Sequence, residues 1–161
     1  MTRATPRRRP VVLWQAYAET MGATGSGPFE NDDALDFLGD LEDLPRDQRP
    51  AVVLAALETV LRSSGYIEAP EMCEAVAGAA AVGASVNPAA AQGEPYLPQW
   101  LIDEPLPTGD QELVEKSRQV LRRAVRSHAN EWWELWEEAG LAGDVTASCR
   151  RALAWLGDRD D

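Results

Sequence analysis

The run Ala75-Val76-Ala77-Gly78-Ala79-Ala80-Ala81-Val82 limits this chain more than any other stretch. Wound into a helix from Glu71 to Val86, with Pro70 at its start, it is apolar around its whole circumference. A helix with no polar face belongs inside a protein, and small side chains let neighbours pack close to it. The remaining elements must therefore be amphipathic and must surround it.

They read as helices. Asn31 is a natural N-cap for a helix with Asp32 and Asp33 in its first turn, apolar at Ala34, Phe37, Leu38 and Leu41, and closed before Pro45. A second helix is predicted from near Asp47, with Pro50 in its first turn and Gly65 as its stop. Tyr66-Ile67-Glu68 reads as short and extended, and Asn87 to Pro98 as a loop before a short segment around Trp100, Leu101 and Ile102. Thr108-Gly109-Asp110-Gln111 has capping-box spacing for a long helix with Leu113, Val114, Val120, Leu121, Ala124 and Val125 inward. Asn130 caps a helix to Ala139 that ends at Gly140, and Asp144 caps a last helix stopped by Gly157. No internal repeat and no alternation of period two is present. The expectation is an all-α fold: a compact bundle of about six helices around an apolar central helix, preceded by a Gly-rich loop.

With 161 residues the chain can bury roughly two-thirds of its unfolded surface around one core. Its 15 Lys and Arg against 27 Asp and Glu leave a net charge of -12, unevenly placed. Arg3, Arg7, Arg8 and Arg9 face only Glu19 within residues 1–20, which read as a basic tail or upstream extension; residues 21–161 form a single acidic helical domain. An acidic surface repels phosphate backbones and anionic lipid, so it argues against nucleic-acid and membrane partners and for a basic protein partner. Cys73 and Cys149 are too few for a disulfide framework and lack metal-ligand spacing, which suits a reducing cytoplasm. The apolar run Val11 to Trp14 is too short for an export signal.

Several groups could carry chemistry, each with a plainer reading beside it. Glu30, Asn31, Asp32, Asp33, Asp36 and Asp40 form the acidic cluster, with Asp32, Asp36 and Asp40 at i, i+4 and i+8 on one helical face. Three carboxylates in a row suit a hard cation, yet the Ca²⁺-loop spacing is missing and capping explains two of the acids, so a solvated face is the first reading. Gly22, Gly25 and Gly27 lack the Lys-Ser/Thr pair of a phosphate loop and read as a turn packed over the core. Arg118, Arg122 and Arg126 make a stripe expected to face glutamates of neighbouring helices. Trp132, Trp133 and Trp136 fall on one arc opposite Glu131, Glu134, Glu137 and Glu138, and read as core with an indole edge left for a partner. No nucleophile motif accompanies His128, and neither a catalytic residue nor a cofactor is assigned.

The run Met21 to Phe37, with Gly22-Ala23-Thr24-Gly25-Ser26-Gly27 followed by Phe29-Glu30-Asn31-Asp32-Asp33-Ala34-Leu35-Asp36, resembles the opening of a bacterial family known as domain of unknown function 4259. Its members begin Met-Gly-Ala-Trp-Gly-x-Gly and continue Phe-Glu-Asn-Asp-x-Ala-x-Asp. Leu135-Trp136-Glu137-Glu138 is similar to the family's C-terminal part, and Thr24 stands where the usual residue is Trp. The resemblance implies that Met21 corresponds to the family's first residue. It adds no reaction.

The functional expectation is a cytoplasmic interaction module that docks a basic protein through its acidic helical surface, in the manner of a toxin or nuclease neutraliser. The competing expectation is a metal-dependent hydrolase built on Asp32, Asp33 and Asp36, with Glu30 beside them.

Overall fold

A computed structural model describes residues 25–157; the basic tail expected at 1–20 and the first residues of the glycine loop lie outside them. Eight α-helices follow in order: α1 (Asp32–Glu42), α2 (Arg49–Leu61), α3 (Ala69–Val86), α4 (Pro88–Ala91), α5 (Gln99–Asp103), α6 (Gln111–Ala124), α7 (Glu131–Glu138) and α8 (Ala142–Trp155), with a 3₁₀ turn, Arg46–Gln48, before α2. Six of these match the expected helices. The short α4 and α5 lie where a loop and a brief segment were expected, because Asn87 ends α3 and caps α4, accepting from the Ala90 amide at 3.2 Å.

α3 is the axis. From Ala75 to Ser85 every residue is buried, and the helix touches each of the other seven. Glycine allows the closest approaches: at Gly83 a methyl would sit 3.2 Å from the Ala152 carbonyl oxygen and 3.2 Å from Trp155 Cβ, so α3 and α8 cross backbone to backbone. Phe29, Leu38, Leu41, Leu57, Met72, Leu113, Leu121, Trp136 and Leu156 fill the spaces between the outer helices and α3. No helix among the described residues is long and apolar enough to cross a membrane.

The extended segment finds a partner. Ile67 forms an isolated parallel bridge with Asn130, its amide donating to the Ala129 carbonyl at 2.9 Å and its carbonyl accepting from the Glu131 amide at 3.0 Å. Asn130 is fully buried and uses its whole side chain. Its Oδ1 accepts from the Trp133 amide at 3.1 Å, while Nδ2 donates to the carbonyls of Ala124 at 2.8 Å and Arg126 at 3.0 Å. One amide thus opens α7 and satisfies orphan carbonyls at the end of α6.

Three helix boundaries differ from expectation. Asp110, not Thr108, caps α6, accepting from the Leu113 amide at 3.2 Å; a carboxylate outranks a threonine hydroxyl at an N-cap and meets the macrodipole as well. α2 stops at Leu61 rather than at Gly65, where the Ser63 hydroxyl takes the Gly65 amide at 3.3 Å and draws the backbone out of the helix. α8 begins at Ala142 with no side-chain cap, and Asp144 lies in its first turn. Gly140, at φ 81, closes α7 with the Leu141 amide bonded to the Trp136 carbonyl at 2.9 Å, so no extended residue remains to act as a cap.

Candidate functional site

The six acidic-cluster residues separate into two groups. Glu30 turns back into the glycine loop, its Oε2 accepting from the Gly27 amide at 2.8 Å, and a methyl on Gly25 or Gly27 would collide with its carboxylate. Asn31 is buried and caps α1, accepting from the Ala34 amide at 2.8 Å. Phe29 between the loop and the cap is fully buried. The stretch Gly25 to Asn31 is therefore a fastening: two glycines make room for one carboxylate, an aromatic fills the core, and an amide starts the helix.

Asp32, Asp36 and Asp40 make an exposed stripe on α1, as their spacing requires, and Asp33 lies half-buried beside it. α3 adds Glu71 and Glu74 to this surface, both exposed. Burial, then the charges of Asp36 and Asp32, pushes the Asp33 carboxyl above its ordinary value. Glu74 is raised by burial and by Asp33, Asp40 and Glu71. These mutual effects place the carboxylates of α1 and α3 in one electrostatic neighbourhood, and none of the six forms an ion pair with a basic side chain among the described residues. Sequence spacing finds the α1 stripe; only the packing of α1 on α3 reveals Glu71 and Glu74 as its neighbours.

Several basic side chains are engaged elsewhere. Lys116 reaches from α6 to Glu58 of α2 at 2.6 Å and to Glu112 at 2.9 Å. Arg118 of the expected stripe pairs with Glu115 of its own helix at 3.1 Å and donates to the Leu156 carbonyl at 2.8 Å, capping the end of α8 instead of meeting a neighbouring helix's glutamate. Arg151 forks onto the nearly buried carboxylate of Glu94, at 2.9 and 3.2 Å. Arg49 carries no signal in the sequence, yet it is buried, donating to the carbonyls of Leu41 at 2.8 Å and Glu42 at 3.0 Å and pairing with Glu104 at 2.9 Å.

Among the described residues no three of His, Cys, Asp or Glu converge in a metal-holding geometry. Asp32 and Asp36 are both exposed and share one face of α1. Cys73 and Cys149 are buried and unpaired, and burial pushes both thiols up, away from the reactive thiolate. Trp132 and Trp136 are buried, edge to face at 6.4 Å, whereas Trp133 is half-buried and its indole N–H has no partner among the described residues. His128 is exposed, and its carbonyl accepts from Arg123 at 2.7 Å.

No curated protein and no solved structure matches the chain. A family model described as domain of unknown function (DUF4259) matches residues 22–147, which include the glycine fastening, the acidic stripe of α1 and the apolar axis, and the chain belongs to that family.

Proposed function

We propose that the protein is an interaction module that docks a basic protein partner through the carboxylate surface of α1 and the start of α3. The observation that carries this reading is the group of Asp32, Asp33, Asp36, Asp40, Glu71 and Glu74: several like charges brought together with no cation among the described residues to neutralise them. Mutual repulsion is a standing cost, and a cationic surface relieves it on binding while steering the encounter at long range. A cationic toxin or nuclease held out of action is the kind of partner this chemistry suits. The unpaired thiols of Cys73 and Cys149 support a reducing, cytoplasmic setting.

The test is affinity capture from the source cell at low salt, comparing the protein with a variant carrying Asp32→Asn, Asp36→Asn, Asp40→Asn, Glu71→Gln and Glu74→Gln. One basic protein should be retained by the first, released by added salt and missed by the second. Equal recovery on both would end the docking reading.

A further inference from the structure

We propose that the cleft between α1 and the Glu94–Trp100 segment is the anchor pocket for an arginine side chain of the basic partner; this rests on the docking reading above. The cleft has a volume of about 360 Å³ and is walled by Leu35, Leu38 and Gly39 of α1, with Glu42 at one end and Tyr96 and Trp100 opposite. That is near the lower end of ligand-pocket sizes, about 300–1,000 Å³, space for one long side chain.

Tyr96 is placed there at a conformational cost. It occupies the third position of a turn after Pro95, closed by the Leu97 amide on the Glu94 carbonyl at 3.1 Å, with φ 65. Such a position favours glycine or asparagine, and an aromatic residue held there is strained. Nothing in the core repays that strain, because Tyr96 is 54% exposed. Both ends of the turn are nevertheless held: Glu94 by the Arg151 fork, and Leu97 by packing against the core. The result is a Tyr96 backbone held at the rim of the groove, with its phenol ring open to solvent.

The carbonyls that end α1 are already met by Arg49, and the groove favours a further cation for two reasons. Glu42 adds an exposed carboxylate that forms no ion pair among the described residues, and the Asp36 and Asp40 stripe runs along the same helix. Tyr96 offers a ring face for a guanidinium, which stacks as a plane where an ammonium cannot. Trp100 adds apolar wall, with Arg49 already 4.7 Å over its ring. Gly39 is the floor: a methyl there would meet nothing within 4 Å, so the missing side chain leaves the space open.

Calorimetry and NMR with synthetic peptides alternating arginine and glycine, or lysine and glycine, test the assignment on the full chain. Gly39→Leu fills the cleft without changing charge, and Tyr96→Ala removes the ring; thermal melting checks that each still folds. The arginine peptide should bind at low salt, shift the Trp100 indole N–H resonance, and lose about fivefold in affinity with either variant, the scale of one cation–aromatic contact. Unchanged affinity in both variants, with binding lost on Asp32→Asn, Asp36→Asn and Asp40→Asn together, would overturn the cleft and leave the docking surface standing. Equal affinity for the lysine peptide would overturn guanidinium recognition. No binding of the arginine peptide would overturn the anchor, and the capture experiment would then decide the wider reading independently.

Discussion

Arg49 lies with its guanidinium 4.7 Å above the ring of Trp100 while donating to the Leu41 and Glu42 carbonyls at the end of α1. The first residue of α2 thus supplies the cation that the last turn of α1 lacks. Removing it strands carbonyls whose partners are internal, whereas the ion pair to Glu104, 46% exposed, is screened and contributes little. Arg49→Ala should therefore cost about 2–4 kcal/mol in urea denaturation, and Arg49→Lys should recover less than half of that because an ammonium cannot bridge both carbonyls beneath the ring. Glu104→Gln should cost under about 1 kcal/mol. Equal losses for Arg49→Ala and Glu104→Gln would show that the ion pair, not the carbonyl clamp, holds this corner.

That corner also marks where sequence reading ends. Asn31 and Asn130 are legible as caps because each closes a hydrogen bond three residues ahead, at 2.8 and 3.1 Å. The axis is legible because a helix without a polar face has only one place to go. Arg49 acts on carbonyls eight and seven residues back, and no local pattern distinguishes it from Arg46, which is exposed. The candidate surface follows the same division: Asp32, Asp36 and Asp40 follow from helical periodicity, but Glu71, Glu74 and the Tyr96 cleft depend on how separate helices meet.

Gly83 and Gly39 both lie inside helices, yet the same substitution should act on them in opposite directions. A methyl at Gly83 meets the Ala152 carbonyl and Trp155 Cβ at 3.2 Å, where backbone cannot give way easily. Gly83→Ala should destabilise by about 1–2 kcal/mol, overpacking outweighing the gain in helix propensity. At Gly39 the space is open, so Gly39→Ala should stabilise by about 0.5–1 kcal/mol. Chemical denaturation of the pair gives both signs, and a stabilised Gly83→Ala would mean that α3 and α8 are further apart than described.

Asn130 offers a sharper substitution than alanine. Asn130→Asp keeps the acceptor that caps α7 but turns a second carboxylate oxygen toward the carbonyls of Ala124 and Arg126, which now receive N–H donors at 2.8 and 3.0 Å. Repulsion in a fully buried site should make the aspartate at least as costly as Asn130→Ala, about 2–4 kcal/mol at neutral pH. Its cost should shrink on acidification, when the carboxyl regains a proton to donate. Denaturation at pH 7 and pH 4 reads this directly, and a milder effect for aspartate than for alanine at pH 7 would show that capping dominates.

Asp33 and Glu74 give the acidic surface its own pH signature. Both folded-state pKa values are raised, by burial first and then by neighbouring carboxylates. Between the ordinary carboxylate value, about 4, and the raised one, the folded state binds more protons than the unfolded state. Their contribution to stability is therefore fully present below the unfolded pKa and lost as pH rises through the folded pKa. Asp33→Asn and Glu74→Gln should each raise Tm at pH 7, through a stability gain of less than about 1 kcal/mol because both groups are part exposed and screened. That advantage should vanish below pH 4, where the native carboxyls are already neutral. An arginine-rich peptide should raise the pH 7 Tm of the parent protein more than that of the double variant, since it relieves a repulsion the variant lacks. If the two respond equally, the crowded carboxylates are not what the peptide meets.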